Sequence, residues 1–502
     1  MKILFISLGC DKNLVDSEVM LGLLTKHGYT LTDDETQADV IVINTCCFIH
    51  DAKEESINTI LEMAQYKEQN LKALVVAGCL AERYKDEILK EIPEIDAVLG
   101  TTSYDSIVEA VNTALDENAG EHFEHYESID YLPDNSNVER VVTTGNHMAY
   151  LKIAEGCDKR CSYCIIPKIR GHFRSVPMEE LLNEAKRLAS EGVKELVLVA
   201  QETTLYGKDL TGEKQLPLLL HELCKIEGIE WIRLLYCYPE EITDELIDAI
   251  AAEPKVCNYL DIPIQHASDN VLKRMGRRTD QAELRAIIGK LREKIPDICL
   301  RTTLISGFPG ETQEDFEELY RFVNEMEFDR LGVFPYSQEE DTPAATMEDQ
   351  VPQEVKEFRR DELMELQQAI AFDKAEDMVG HILTVMIEGK VAEEETYVAR
   401  TYRDAPNVDG YLFVNTSANL MTGDFVKVLV TGSNEYDLIG EIYHEENESA
   451  QQADYFSCDP DRTVYYPVTG RSGRMVWRKH LCDGYDRTGY LHHCQPHRSD
   501  RR

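Results

Sequence analysis

The sequence lacks the features that would direct it to a membrane. No run of eighteen apolar residues occurs in its 502 residues, so no membrane-spanning helix is expected. The apolar start "KILFISLG" has no small-residue cleavage site after it, which favours a first β-strand over a signal peptide. These absences predict a cytoplasmic protein that makes no contact with a membrane.

Positive charge is also scarce. The chain has 52 Lys and Arg against 93 Asp and Glu, a net charge of −41. A chain this acidic repels phosphate backbones and attracts basic partners, so a basic protein is a better expected partner than RNA, whose contact would be secondary. The alternative that the acidity serves only solubility stays open.

The length exceeds what one compact core holds, so several domains are expected. Composition and hydrophobic periodicity predict an α/β architecture of five segments. They are an N-terminal parallel-sheet domain over 1–118, a linker over 119–145, a full or partial (β/α) barrel over 146–375, a small β-barrel over 376–445, and an atypical basic tail over 446–502.

In the first domain, strands alternate with helices, which predicts a parallel sheet. The strands read "KILFISLG", "DVIVINT" and "KALVVAG", and the helix "VDSEVMLGLLTKHG" is predicted to be capped near Asp16 and Ser17.

A cysteine follows each of these strands: Cys10, Cys46 and Cys79. Because the carboxyl ends of parallel strands share one edge, the three thiols are expected to converge as metal ligands. The alternative is three buried cysteines that act as small hydrophobic residues. Cys47 should point elsewhere in an extended chain and is expected to be structural.

A second cysteine array lies in "EGCDKRCSYCIIP", where Cys157, Cys161 and Cys164 have the spacing C-x3-C-x2-C. It lacks the nearby second C-x2-C pair that zinc sites use, whereas closely spaced thiolates on a loop are typical of iron–sulfur ligation. Three cysteines leave one iron without a protein ligand. An open position of this kind indicates a catalytic metal site rather than a structural one.

Recurring strands such as "ELVLVAQ" and "LRTTLISGF" indicate the barrel, whose chemistry gathers where its strands end. Gln201, Glu202, Ser306 and Gly307 lie at two such ends and are candidate cofactor contacts. Gly-Pro turns also commonly end barrel strands, so the alternative that these residues only form turns stays open.

Five short strands over residues 381–445 predict the small β-barrel, which has eleven Asp and Glu against four Lys and Arg. The tail from Cys458 onward is basic, with nine Lys and Arg against five Asp and Glu. Its cysteines and histidines match no standard metal template, so a flexible extension is favoured over a metal site. They are Cys482, His492, His493, Cys494 and His497.

The C-x3-C-x-aromatic-C array after the first barrel strand resembles the radical S-adenosylmethionine (SAM) superfamily. The resemblance implies a 4Fe-4S cluster on Cys157, Cys161 and Cys164, shielded by Tyr163, whose open iron binds SAM. The upstream trio narrows the resemblance to the methylthiotransferases. In that family Cys10, Cys46 and Cys79 would hold a second 4Fe-4S cluster, and the small β-barrel is the TRAM domain.

Within the methylthiotransferases, the chain is most similar to the type that modifies the twelfth protein of the small ribosomal subunit. The motifs include "INTCCFIHDAKEES", "DIPIQHASDNVLKRMGRRT" and "VFPYSQEEDTPA", and the resemblance covers about residues 2–445. After the first Gly-Cys the tRNA-modifying type usually has Gln-Met-Asn and the ribosomal type Pro-Lys-Asn; this chain has Asp11, Lys12 and Asn13. Asp11 departs from the ribosomal pattern, as does Cys47 where glycine is common, and neither removes a ligand.

This resemblance implies methylthiolation at the β-carbon of an aspartate, with 3-methylthioaspartate as product. It also implies two SAM molecules per turnover and an electron donor such as flavodoxin or ferredoxin. Two alternatives stay open. Methylthiolation of an adenosine in tRNA predicts a basic groove, which the charge balance disfavours, and a non-catalytic iron–sulfur or redox module predicts closed, four-ligand clusters.

Overall fold

The computed structural model describes residues 1–116, 122–136 and 138–444 with their side chains, and the backbone of 464–469 and 475–480. Residues Met1–Ile442 form one compact unit, and Tyr443–Arg502 form a second. In the described ranges every helix falls short of the length and apolar character that crossing a lipid bilayer requires.

The N-terminal domain is a parallel sheet of six strands. They are β1 (Lys2–Ser7), β2 (Thr30–Leu31), β3 (Val40–Thr45), β4 (Ala73–Gly78), β5 (Ala97–Leu99) and β6 (Phe123–His125). The order is β2-β1-β3-β4-β5-β6, and every residue of the central β3 and β4 is buried, as expected for apolar strands covered on both faces. The last strand lies within the range predicted as a linker. The helices are α1 (Asp11–Lys26), α2 (His50–Ala64), α3 (Cys79–Arg83), α4 (Ile88–Glu91) and α5 (Ile107–Ala114).

Helix α1 begins earlier than its sequence predicts. Its N-cap residue is Cys10, so the prediction of a cap near Asp16 and Ser17 is wrong. Both side chains have other partners: the Ser17 hydroxyl donates to the carbonyl of Asn13 at 3.0 Å, and the Asp16 carboxylate pairs with two cations of the barrel domain. Asp16 therefore forms ion pairs with the barrel domain instead of capping the helix.

The central domain is a partial barrel of six parallel strands in the order β14-β13-β12-β11-β10-β7, as predicted. These are β7 (Met148–Lys152), β10 (Glu195–Val199), β11 (Trp231–Leu234), β12 (Val256–Asp261), β13 (Cys299–Ser306) and β14 (Arg330–Pro335), with a short separate pair β8 (Ala154–Glu155) and β9 (Arg174–Ser175). Leu181, Ala185 and Leu188 of the first long helix are fully buried in the barrel core, which matches their helical spacing. The helices are α6 (Ile166–Ile169), α7 (Met178–Ser190), α8 (Lys208–Thr211), α9 (Leu216–Cys224), α10 (Asp244–Ala252), α11 (Asp269–Arg274), α12 (Gln281–Lys294) and α13 (Gln313–Met326).

A long helix leads into the small C-terminal barrel, which closes in the order β15-β16-β17-β19-β18. The prediction of five short strands is confirmed. The elements are α14 (Gln353–Asp377), β15 (Ile382–Lys390), β16 (Thr396–Thr401), β17 (Leu412–Asn415), β18 (Phe425–Asn434) and β19 (Asp437–Ile442).

A buried ionic cluster joins this small barrel to the parallel sheet. The Glu195 carboxylate of β10 accepts from Arg233 of β11 at 2.8 Å and from Arg400 of β16 at 2.6 Å, and all three side chains are buried. Burial alone would raise the pKa of the Glu195 carboxyl, but the two guanidinium charges lower it to about 2. The two barrels are therefore joined by paired charges as well as apolar packing.

Of the tail, the structure describes the backbone of β20 (Val464–Thr469) and β21 (Met475–His480), which pair antiparallel. The cysteines and histidines singled out in the tail sequence lie outside the described residues.

Candidate active site

The structure brings Cys10, Cys46 and Cys79 to one edge of the N-terminal sheet. Cys46 directly follows β3, Cys79 directly follows β4, and Cys10 lies between β1 and α1. These three strands are parallel neighbours, so their carboxyl ends meet at one edge. Gly9 has φ +89°, and a Cβ there would lie 2.6 Å from the Cβ of Cys46. Glycine thus permits the close approach of the Cys10 loop to Cys46.

The first trio is electrostatically coupled. Burial raises the pKa of the Cys46 thiol, and the charge of Cys10 raises it further. Burial also holds the pKa of Cys79 well above its usual value, with Arg170 opposing that effect. The neighbouring Cys47 thiol instead donates to the backbone carbonyl of Cys79 at 3.1 Å, and burial raises its pKa to about 12.

The second trio lies on a tight loop after β8. The amide of Cys164 donates to the carbonyl of Cys161 at 3.0 Å, and the amide of Cys157 donates to that of Gly171 at 3.1 Å. Burial raises the pKa of Cys157 to about 12 and that of Cys164 higher still, and the charge of Cys161 adds to both shifts. At Gly156, with φ +77°, an added Cβ would lie 2.1 Å from a backbone oxygen, so this loop also depends on a glycine.

Neither trio has the spacing of a mononuclear metal site. Among the residues that the structure describes, no three Cys, His, Asp or Glu side chains converge on the position of one metal ion. In an iron–sulfur cluster each cysteine binds a different iron, so its thiolates lie farther apart than the ligands of a single ion. Thiols grouped at two strand-end positions are the ligand type that iron–sulfur clusters use, and their assignment to clusters stays a prediction.

Arg170 connects the elements that carry the two trios. It is 2% exposed and donates to Asp16 at 2.7 Å, to Asn13 at 2.8 Å and to Glu155 at 3.2 Å. The first two acceptors follow Cys10 in α1, and the third lies two residues before Cys157. Ile165 and Ile169, just after the second trio, also pack in one buried cluster with Cys79. One buried interface thus joins the elements that carry the two trios, although Cys10 itself is exposed.

Two of the predicted cofactor contacts lie beside the second trio. Glu202 is fully buried; one carboxylate oxygen accepts from the amide of Thr204 at 3.1 Å, and the other has no hydrogen-bond partner among the described residues. Burial raises the pKa of Glu202 to about 7, although Lys159 at 3.8 Å opposes the shift. Gln201 donates to Glu155 at 2.6 Å, and its amide oxygen is buried without a partner in the described chain.

Aromatic and cationic side chains also surround the second trio. The Arg277 guanidinium lies 4.3 Å from the ring centroid of Tyr238, and the Tyr238 hydroxyl lies 3.7 Å from the Cys161 sulfur. Two buried nitrogens of Arg277 have no hydrogen-bond partner in the described ranges. Tyr163 packs edge-on against Phe308 with ring centroids 6.4 Å apart, and burial holds the pKa of its hydroxyl well above the usual value.

Ser306 and Gly307 lie at the end of β13 and contact Lys356 of α14. The Ser306 hydroxyl donates to the Lys356 carbonyl at 2.9 Å. Gly307 has φ +68°, and an added Cβ would lie 2.3 Å from the Lys356 side chain. These contacts account for both residues in terms of packing, and their role in cofactor binding stays a prediction.

Comparisons with known proteins agree with this architecture. Sequence models match the uncharacterized protein family UPF0004 over residues 2–100, the radical SAM superfamily over 151–323 and the TRAM domain over 379–442. The ribosomal protein uS12 methylthiotransferase RimO of Lachnoclostridium phytofermentans is 65% identical over 441 residues, which cover 88% of this chain and 99% of that protein. RimO of Acetivibrio thermocellus is 52% identical over 454 residues, covering 89% and 99%. The chain belongs to the RimO family.

A solved structure supports the fold of this RimO-family chain. The radical SAM methyltransferase TsrM of Kitasatospora setae, with tryptophan substrate and a SAM analogue bound, aligns with a TM-score of 0.50 at 14% identity, covering 81% of this chain and 80% of that one. At this identity the likeness concerns the fold alone.

Membership of the RimO family confirms the predicted class, a radical SAM methylthiotransferase that depends on iron–sulfur chemistry and SAM. The alternative of a non-catalytic redox module is not supported. The N-terminal α/β domain, the parallel radical SAM sheet and the TRAM barrel are all confirmed.

Several side chains of the RimO-family site were missed by sequence reasoning. Lys159, Arg170, Tyr238 and Arg277 become notable only through contacts between distant segments. Proximity to the second cysteine array could have pointed to two of them, because Lys159 lies inside the array and Arg170 lies six residues after it. Their partners could not be read from the sequence.

Proposed function

We propose that this enzyme methylthiolates the β-carbon of an aspartate in ribosomal protein uS12, giving 3-methylthioaspartate. The observation that carries the proposal is the 65% identity to a uS12 methylthiotransferase over 88% of this chain. In the net reaction one C–H bond of the β-carbon is replaced by a C–S bond. Two SAM molecules are consumed: one supplies the methyl group and leaves as S-adenosylhomocysteine, and the other is cleaved by one electron to methionine and a deoxyadenosyl radical, which takes the hydrogen from the β-carbon and leaves as 5′-deoxyadenosine. The sulfur atom would be supplied at the first cluster.

Two 4Fe-4S clusters are assigned to the two trios. Cys10, Cys46 and Cys79 would hold one cluster, and Cys157, Cys161 and Cys164 the other, which also binds SAM. When bound, the clusters and SAM supply the electron, the hydrogen-abstracting radical and the methylthio group. The electron itself comes from a low-potential donor such as flavodoxin or ferredoxin. The glycines at positions 9 and 156 support this assignment, because each allows a cysteine-bearing loop its close approach.

The residues around the second trio offer complementary contacts to SAM. Among the described residues, two nitrogens of Arg277 have no hydrogen-bond partner and suit its carboxylate, and the Glu202 oxygen that only Lys159 approaches, at 3.8 Å, suits its ammonium or hydroxyl groups. Gln201 offers a further acceptor, and Tyr163 shields the cluster. Glu202 and Arg277 are buried and Gln201 and Tyr163 are half-buried, so together they would limit the access of water to the reacting centre.

Charge favours a basic protein as the partner. The range 381–445, which contains the TRAM barrel, has eleven acidic against four basic residues, and the whole chain carries −41. Its field attracts a lysine- and arginine-rich ribosomal protein and opposes phosphate, so contact with RNA is secondary.

Mass spectrometry tests the substrate. We expect uS12 from cells that contain the gene to carry one methylthio group in place of hydrogen on an aspartate, and uS12 from cells without it to lack the group. Complementation with Cys157→Ala should not restore the modification. Nucleosides of tRNA are measured in parallel, and loss of a methylthio group from tRNA alone would overturn the proposal.

A further inference from the structure

Lys12 is a largely buried lysine whose ammonium has no carboxylate partner among the described residues. It is 5% exposed, and its ammonium lies 3.2 Å from the ring centroid of Tyr236. In the described part of the chain, no carboxylate lies within 4.0 Å of this ammonium. Three other buried cations differ, because Lys152, Lys159 and Arg170 each contact at least two carboxylates. Arg277 resembles Lys12 in lying over a tyrosine ring, and its two nitrogens that lack a partner in the described chain are assigned to the SAM carboxylate.

A lysine that is 5% exposed and has no carboxylate partner in the described residues is unusual in a protein interior, and a tyrosine ring compensates its charge only in part. The ring is itself firmly held. The Tyr236 hydroxyl donates to Asp11 at 3.2 Å and its amide donates to Asp261 at 3.0 Å, with φ +60° at Tyr236. Tyr236 thus keeps an unfavourable backbone conformation while its ring holds the Lys12 ammonium. This arrangement indicates a binding position for an anion next to the ammonium.

The position of this cation links the two trios. Lys12 lies two residues after Cys10, and Tyr236 lies two residues before Tyr238, whose hydroxyl is 3.7 Å from the Cys161 sulfur. Tyr236 follows β11 at its carboxyl end, the edge where a barrel of this kind places its chemistry. The ammonium thus lies where the start of α1, just after Cys10, meets the loop after β11, and Tyr238 of that same loop reaches Cys161.

We propose that Lys12 binds the side-chain carboxylate of the target aspartate. The proposal rests on the proposed function and assigns one residue to its specificity. The β-carbon of an aspartate is bonded directly to the carboxyl carbon, so fixing the carboxylate fixes the position of the C–H bond to be replaced. A side-chain amide at the same place leaves the ammonium without its counter-charge, so asparagine is discriminated against.

The test is a binding cycle with reconstituted enzyme and two forms of uS12, which carry aspartate or asparagine at the modified position. Wild-type enzyme should bind the aspartate form about 10- to 100-fold more tightly, the factor expected for one hydrogen bond to a charged group. Lys12→Met keeps the length of the side chain and removes its charge. It should weaken binding of the aspartate form by that same factor and leave the asparagine form unchanged.

Two further variants control the cycle. Lys26→Met removes an exposed lysine at the other end of the same helix and should change neither affinity. Lys12→Arg keeps the charge and should recover part of the preference for aspartate. Iron content and melting temperature are measured for every variant, so a folding defect in Lys12→Met is recognised. The proposal also requires that the wild-type enzyme bind the aspartate form of uS12 more tightly than the asparagine form, and this comparison does not depend on the folding of any variant.

The results that overturn the proposal are distinct. Equal weakening of both uS12 forms by Lys12→Met would mean that Lys12 does not recognise the carboxylate. A shift in the reduction potential of the first cluster with the preference for aspartate intact would make Lys12 a counter-ion of that cluster. If wild-type enzyme forms no methylthio product on uS12, the proposed function fails; if it does and Lys12→Met keeps the preference, only the role of Lys12 fails.

Discussion

Cys157, Cys161 and Cys164 lie within eight residues of one loop, whereas Cys10, Cys46 and Cys79 span seventy residues and three strands. A local array depends on the turn that carries it. A dispersed trio depends on the order of strands in a sheet and on every contact that fixes their ends. The comparison teaches that perturbing tertiary contacts should damage the dispersed trio first; the Gly9 and Cys47 predictions test that difference directly, and the Arg170 and Glu195 predictions test the contacts around it.

The largest effect is expected at Arg170, which touches the elements of both trios. Arg170→Met leaves two buried carboxylates with fewer cations, so the free energy of unfolding should fall by about 3–5 kcal/mol. Urea unfolding measures this loss. Arg321→Met, on an exposed helical surface, should change stability by less than about 0.5 kcal/mol. Equal losses in the two variants would refute the role of Arg170 as a connection.

The ionic cluster at Glu195 should give a pH dependence that neither trio influences. The pKa of Glu195 is lowered from 4.5 to about 2, so it stabilises the fold above pH 4.5, and that stability is lost as the pH falls toward 2. The difference amounts to roughly 3 kcal/mol. The free energy of unfolding is measured at about pH 5 and about pH 2. The loss between these pH values should be roughly 3 kcal/mol smaller in Glu195→Gln than in wild type. A different pH dependence in variants of either trio would contradict this independence.

A smaller effect that separates the trios is expected at Gly9. Gly9→Ala combines positive φ with a clash against Cys46, and should cost about 1–3 kcal/mol and lower the iron of the first trio alone. Gly28→Ala is the matched control, because Gly28 has φ +88° and an added Cβ there meets no atom within 4 Å. Iron analysis and unfolding should therefore differ between the two. Equal iron loss would show that backbone strain, not the approach to Cys46, matters.

The smallest effect is expected at Cys47, the direct neighbour of a proposed ligand. Its thiol donates to a backbone carbonyl, so Cys47→Ala should cost about 1 kcal/mol and leave the iron content unchanged. Cys46→Ala should lower the iron content. Loss of iron in the Cys47 variant would move the ligand assignment by one residue.

The fold could be predicted largely because its signals are local or periodic. Alternating apolar strands and helices gave the parallel sheets, and the five short strands gave the closed barrel. The convergence of Cys10, Cys46 and Cys79 followed from topology, since strand ends of a parallel sheet share an edge. The short strand β6 has too few apolar residues to signal itself, and it lies in a range predicted as a linker.

The supporting residues of the site could not be predicted, because their roles are set by partners far away in sequence. The local sequence predicts that Asp16 caps a helix, whereas in the structure its carboxylate pairs with Lys152 and Arg170. Lys12 belongs to the tripeptide that separates the two methylthiotransferase types, but only its burial over Tyr236 points to a contact role. Such contacts depend on how whole domains pack, which residue spacing within one segment does not encode.

The most direct test of the central claim, two separate three-cysteine cluster sites, is anaerobic reconstitution of two triple-alanine variants. One replaces Cys10, Cys46 and Cys79, and the other replaces Cys157, Cys161 and Cys164. Each should retain about half of the wild-type iron, and neither should form product. The first should still cleave SAM to 5′-deoxyadenosine, and the second should not. Full iron in either variant, or complete loss of iron in one of them, would contradict the account.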